Sequence, residues 1–150
     1  MKIYLLFLLF ILFCVLAIFV YSLFYFKNKL YLDLVYVCKY LKNNISFNKD
    51  KICILFENVS KDISFYTRYI IKNYRKEKLP LLKKTDIMNI KNFINNLGSG
   101  NVDYEVNNLT YYENSFEDMS CKCKELLKKD GVMYLKLIIG IGLALCVMLI

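Results

Sequence analysis

Apolar positions along this chain fall into three regimes. From Ile3 to Phe26 there are 24 residues without a charge. As an α-helix this stretch is about 36 Å long, against a bilayer hydrocarbon core of about 30 Å. From Lys27 to Asp130 apolar residues recur among polar ones at helical spacing. From Val132 to Ile150 the chain is apolar again, Lys136 being the one charge. No stretch alternates with period two over a useful length. The pattern predicts an all-α protein: two transmembrane helices bracketing a helical bundle of four to five helices. The expected divisions are 1–27 (N-terminal transmembrane helix), 28–131 (bundle) and 132–150 (C-terminal transmembrane helix).

Within the middle regime, Leu30, Leu34, Val37, Cys38, Leu41 and Ile45 share one helical face. They predict a helix over about 28–45, open to continuity with the preceding apolar run. Asn48 is a candidate N-cap for the next helix, with Phe47 and Ile52 placed as a hydrophobic staple. Ile52, Leu55, Phe56 and Val59 give that helix its apolar face, and a break is expected between Ser60 and Ser64. A third helix carries Phe65, Tyr69, Ile70 and Tyr74 as its apolar side. Pro80 ends it at or before Leu79, because proline disfavours the helical conformation of the residue before it.

Thr85-Asp86 reads as the next helix start, with an acid in the first turn where the helix dipole favours it. Ile87, Ile90, Phe93, Ile94 and Leu97 form its buried side, and Gly98 stops it as a left-handed C-terminal residue. Asn101 can cap a long helix that follows, with Val102, Val106, Leu109, Phe116, Cys123 and Leu127 as its seam. Gly131 marks the change from aqueous to apolar sequence. Residues 101–130 are expected to form a shaft that positions the bundle relative to the membrane.

The N-terminal run differs from a cleaved leader. It exceeds the roughly 7–15 residues of a signal-peptide core, and no small-x-small site follows it. Phe13 occupies the place where a lipobox around Cys14 needs a small residue. Of 21 Lys and Arg, 19 lie within 27–130. The excess of positive charge predicts a cytoplasmic bundle with both termini on the opposite side. Lys136, one turn inside the second span, can snorkel back to the same interface.

Charge is uneven within the bundle. Residues 68–84 hold Arg68, Lys72, Arg75, Lys76, Lys78, Lys83 and Lys84 against a single Glu77. Residues 97–121 hold Asp103, Glu105, Glu113, Glu117 and Asp118 without a Lys or Arg. The basic stretch is either a solvated face, the electrostatic mate of the acidic stretch, a lipid-headgroup contact or a surface for a cytoplasmic partner. Nucleic acid is excluded as a partner: the patch is tethered to a membrane and no nucleic-acid motif accompanies it.

The chain offers little chemistry. It contains no His, no metal-ligand cluster and no Walker-type loop. Gly98-Ser99-Gly100 lacks the Lys and the preceding strand of a phosphate cradle. Cys121 and Cys123, two apart on a helix, point about 200° apart and cannot share a metal. The six Cys do not read as a disulfide framework in a reducing cytoplasm. These features argue against an enzyme and call for no cofactor. The composition is heavy in Lys, Asn, Ile and Tyr, as in an AT-rich bacterial genome. In the second span Gly140 and Ala144 form a small-xxx-small pair that allows close helix approach in lipid. That pair is the candidate for membrane-helix packing against the first span or a partner.

Taken in order, these pieces resemble the stage III sporulation protein AB family of endospore-forming, Clostridium-like Firmicutes. The resemblance rests on the two terminal spans, the helix ending Leu97-Gly98 and the long helix with Val106 and Leu109. It continues through Gly131-x-Met133-Tyr134 and the glycine-containing apolar terminus from Leu137. Asp86 matches an acidic residue that starts the family's helix before Leu-Gly. Asn101 stands where the family usually has Asp, Glu105 where it has Gln, and the basic residue after Met-Tyr is displaced to Lys136. Residues 60–80 are short and diverged.

The resemblance implies a non-enzymatic platform subunit of the mother cell–forespore channel, similar to inner-membrane platforms of type II secretion and type IV pilus machines. It implies a place in the outer forespore membrane, with the bundle in the mother-cell cytoplasm. The implied partners are a cytoplasmic ATPase resembling stage III sporulation protein AA and other stage III sporulation membrane proteins, with the lipid bilayer; a homo-oligomer is left open. The alternative is a membrane-anchored regulator that binds anionic lipid surfaces. A small transporter subunit ranks last, because the spans offer almost no polar groups beyond Ser22 and Lys136.

Overall fold

A computed structural model describes the backbone of residues 2–48 and 52–148, with side chains for all of these except residues 2, 3, 5, 46–48, 52 and 53. The described residues are helices and connecting turns, with no strand among them. The elements are α1 (Lys2–Asn48), α2 (Ile52–Val59), α3 (Phe65–Lys72), α4 (Lys84–Asn96), α5 (Val102–Leu126), a π-turn (Leu127–Gly131) and α6 (Val132–Met148). The chain forms two compact units. One is Met1–Phe26 with Lys122–Ile150; the other is Lys27–Cys121.

Two helices are long and apolar enough to cross a membrane, one through α1 and one ending in α6. The helix predicted over 28–45 is continuous with the apolar run before it: α1 is one helix of 47 residues. No Gly or Pro occurs before Pro80, so nothing in α1 breaks the backbone ladder. Asn48 is the last residue of α1 rather than the cap of α2. The Phe47–Ile52 staple falls on side chains outside the described set.

In the first unit, Gly131 is buried beside Tyr21 and Phe24, and Phe24 stacks on Tyr134 at 6.2 Å between ring centres. A Cβ built on Gly142 would lie 2.8 Å from the Cβ of Phe13. This glycine is where α1 and α6 approach closely.

The second unit has a core of Leu30, Leu34, Val37, Cys38 and Leu41 from α1, with Ile70, Ile90, Phe93, Leu109 and Phe116 from later helices. An aromatic cluster sits within it. Phe93 meets Phe116 edge-on at 5.3 Å and Tyr112 at 5.2 Å, and Tyr31 reaches Phe116 at 6.3 Å. Such rings bury large apolar areas in a geometry their quadrupoles favour.

Two helix faces differ from the pattern-based expectation. In α3 the buried residues are Thr67, Ile70 and Ile71. Phe65 is 83% exposed and Tyr69 is also on the outside. The helix stops at Lys72, before Tyr74 and well ahead of Pro80. Asn73 ends it, with its Nδ2 donating to the Tyr69 carbonyl at 2.9 Å and its backbone N–H donating to the carbonyls of Tyr69 and Ile70. In α5 the buried face runs Glu105, Leu109, Tyr112, Phe116, Ser120 and Cys123, while Val102 is exposed. The seam is rotated towards polar residues, each of which makes one hydrogen bond there, while Glu105 Oε2 is buried without a partner among the described residues. The Glu105 carboxylate accepts from the Gly100 N–H at 3.0 Å, and Ser120 Oγ donates to Asn28 Oδ1.

The helix boundaries of α4 and α5 follow their punctuation. Gly98 has φ +78°, a conformation glycine reaches without steric cost. Asn101 Oδ1 accepts from the Tyr104 N–H at 2.9 Å and caps α5. In α4, Ile87, Ile90 and Phe93 are buried as expected, while Ile94 and Leu97 are half-buried.

Candidate functional site

The seven basic residues of 68–84 do not act as one patch. Arg68 is committed to the fold: its guanidinium donates to the carbonyls of Ser60 at 2.9 Å, Lys61 at 3.0 Å and Ile63 at 3.4 Å. It therefore holds the turn between α2 and α3. Lys72 lies exposed in the last turn of α3. Lys83 is the N-cap residue of α4, with its backbone N–H donating to Asp86 Oδ2 at 3.0 Å.

The other four come together. Arg75, Lys76 and Lys78 from the turn after α3, with Lys84 from the start of α4, line a groove of about 420 Å³. Lys91 completes the ring; Glu77 is the one acid in the lining, and Ile87 and Met88 form the apolar part. Lys91 lies outside the 68–84 window and belongs to no run of charges. Helical spacing identifies it: Lys84, Met88 and Lys91 stand at i, i+4 and i+7 on one face of α4.

The groove depends on how the segment from Asn73 to Lys83 is folded back. Pro80 and Leu81 occupy a tight turn in which the Leu82 N–H donates to the Leu79 carbonyl. Leu81 has φ +65°, a left-handed conformation that costs a non-glycine residue about 1–2 kcal/mol. Tyr66 Oη donates to the Pro80 carbonyl at 2.7 Å and helps hold that turn. Burial, with a contribution from the Asp86 charge, pushes the Tyr66 hydroxyl up to about 12. It stays a protonated donor through the neutral range.

Beneath the groove, α4 is fixed to α1. Lys27 Nζ donates to Asp86 Oδ2 at 2.8 Å. Burial acts to raise the Asp86 pKa, but hydrogen bonds from Lys27, the Lys83 N–H and Tyr31 outweigh it and hold it below the usual carboxylate value. A second anchor lies at α3. Asp33 accepts from the Ser64 N–H at 3.0 Å, Thr67 Oγ1 at 2.7 Å and Lys29 Nζ at 3.1 Å. Burial raises its pKa less than the Ser64, Thr67 and Lys29 hydrogen bonds lower it.

Among the described residues, Glu113 in the acidic half of α5 finds its cations on α1. Glu113 pairs with Lys42 and, at 3.9 Å, with Lys39. For Glu113, of the several readings of the charge pattern, the mate is α1 and not residues 68–84. The groove residues Arg75, Lys76, Lys78, Lys84 and Lys91 are exposed, and Arg75 Nε donates to Tyr74 Oη at 3.2 Å. In the second apolar helix, Gly140 has open space around it and Ala144 is exposed. The intramolecular contact is made by Gly142.

Fold and surface together define a class: a helical chain, strandless among the described residues, with two helices able to span a bilayer and a compact helical unit bearing a cationic groove. Residues 70–150 match the sequence model of the family described as stage III sporulation protein AB. The match covers more than half of the chain, and the protein belongs to that family. It includes the groove, the acid-led α4, the Gly98 stop, α5 and the whole of α6. No curated protein and no solved structure gives a significant match.

Proposed function

We propose that this chain is a non-enzymatic platform subunit of the secretion-like channel complex that joins mother cell and forespore, and that its helical unit docks a cytoplasmic ATPase. Membership of the stage III sporulation protein AB family carries the reading. The two apolar helices supply the anchoring such a subunit needs, and the groove of Arg75, Lys76, Lys78, Lys84 and Lys91 supplies a surface for a negatively charged partner. In this reading the protein lies in the outer forespore membrane with the Lys27–Cys121 unit in the mother-cell cytoplasm. Other stage III sporulation membrane proteins contact its spans.

Deletion of the gene is expected to block endospore formation, with rescue by the intact chain. Normal spore yield in the deletion strain refutes the reading. The ATPase contact has its own readout. The Lys76→Glu, Lys84→Glu chain is expected to lose co-purification with the ATPase while keeping its thermal stability, and unchanged co-purification removes that contact.

The clustering of five cations also favours a second reading, a membrane-anchored regulator that senses anionic lipid. It predicts that the full chain in nanodiscs retains phosphatidylglycerol over phosphatidylcholine, and that the same double substitution abolishes the preference.

A further inference from the structure

The groove has a geometry as well as a charge. Lys84 and Lys91 are seven residues apart on α4, about 10 Å along the helix axis. Between them stands Met88, which is 62% exposed. A large exposed apolar side chain thus stands between two lysines on one face of α4, and Arg75, Lys76, Lys78 and the single acid Glu77 line the same groove. Methionine is unbranched and polarizable and adapts to varied apolar partners. A solvated basic face needs no apolar residue at its centre.

We propose that the groove receives an acidic amphipathic helix of a protein partner. Its two carboxylates, seven residues apart, pair with Lys84 and Lys91, and an apolar side chain between them seats on Met88. This rests on the docking reading above and names the chemistry of the docked segment. The complement of Lys-x-x-x-Met-x-x-Lys on one helix is Glu-x-x-x-Leu-x-x-Glu on another, because both present i, i+4 and i+7 on one face. A fluid lipid surface offers charge without that fixed spacing, and its phosphates gain nothing from Met88.

The probe is a fluorescein-labelled helical peptide carrying two Glu-x-x-x-Leu-x-x-Glu repeats, titrated by anisotropy against the full chain in phosphatidylcholine nanodiscs. Replacing its Glu by Gln is expected to weaken binding about tenfold or more, and Leu by Ser about fivefold. Lys84→Glu in the chain is expected to match the Gln peptide in its effect, whereas Lys61→Glu, an exposed lysine outside the groove, has little. The decisive measurement is a cycle between Met88→Ser and the Leu→Ser peptide. The two losses are expected to be strongly non-additive, because each removes the same contact.

Additive losses, or a Lys61→Glu effect equal to that of Lys84→Glu, overturn the proposal. So does loss of peptide binding when phosphatidylglycerol replaces phosphatidylcholine, which makes lipid the occupant. The docking reading fails separately, if the Lys76→Glu, Lys84→Glu chain supports full sporulation. A peptide that does not bind, beside a sporulation defect in that variant, removes only the amphipathic-helix occupant.

Discussion

Lys27 and Asp86, 59 positions apart in sequence, meet at 2.8 Å. This contact joins the first residue of the Lys27–Cys121 unit to the first turn of α4. Asp86 serves α4 twice, once through the Lys83 N–H at the helix start and once through α1. A carboxylate placed to favour the helix dipole is also what locates that helix on the bundle.

Removing Lys27 leaves Asp86 buried without its strongest cation. Exposed pairs are worth about 0–1 kcal/mol and fully buried ones cost about 3–5 kcal/mol to break from one side. The Lys27 side chain is about a quarter exposed, so Lys27→Met is expected to cost about 2 kcal/mol. Thermal unfolding of the detergent-solubilised chain measures it, and an unchanged midpoint refutes the assignment. The pH dependence follows from the lowered pKa of Asp86. The stabilisation is fully present above the unfolded carboxylate pKa of about 3.8. It is lost as pH falls through the folded-state value. Asp86→Asn is expected to be less stable at neutral pH and to show a flatter acid limb.

Asp33 is the N-terminal anchor of α3 supplied from another helix. Ser64 also caps α3 locally through its own side chain, but Asp33 orients the Ser64 N–H and the Thr67 hydroxyl inside the bundle. Asp33→Ala leaves buried Thr67 Oγ1 without this acceptor and is expected to cost about 2 kcal/mol. Hydrogen exchange at residues 64–67 should accelerate well before exchange in α5. Equal protection in wild type and variant argues against the anchoring role.

Much of this organisation is legible in the sequence. The apolar runs, the Gly98 stop, the Asn101 cap and the acid at the start of α4 depend on local chemistry, and each takes its place. The faces of α3 and α5 were harder to read because apolar periodicity assumes that polar residues stay outside. Glu105 is only 1% exposed with the Gly100 N–H donating to one of its carboxylate oxygens, and Ser120 is buried with its Oγ donating to Asn28. Neither partner is visible from spacing along α5. The cationic groove was half legible. Its charge lay in the 68–84 window, but the turn at Leu81 that folds this segment onto Lys84 and Lys91 needs a left-handed leucine that no sequence rule anticipates.

The cysteines give a direct test of the α5 face. Cys121 is exposed while Cys123, two residues on, is buried. On α1, burial drives the Cys38 thiol well above its ordinary pKa, with the Glu113 charge adding to the effect. The thiolate is the reactive form, so Cys38 is doubly protected, by access and by ionisation. Maleimide labelling of the native chain, mapped by mass spectrometry, is expected to modify Cys121 and to leave Cys38 and Cys123 unmodified until denaturant is added. Native labelling of Cys123 at the rate of Cys121 refutes the burial of Cys123 on the inner face of α5.

The glycines of α6 divide into one that serves the chain itself and one left for other contacts. A side chain at Gly142 meets the Cβ and ring of Phe13, atoms that cannot swing aside without moving α1. Overpacking of this kind costs about 1–3 kcal/mol, so Gly142→Val is expected to lower the unfolding midpoint of the solubilised chain. Gly140 has open space, and Gly140→Val should leave that midpoint unchanged. Small residues four apart, here Gly140 and Ala144, let helices approach closely where lipid provides no hydrophobic drive. If they receive a partner's helix, Gly140→Ile reduces co-purification of the other sporulation membrane proteins with no change in thermal stability. Retained co-purification with Gly140→Ile removes this face from the assembly, and an intact midpoint for Gly142→Val refutes the packing of α6 on Phe13.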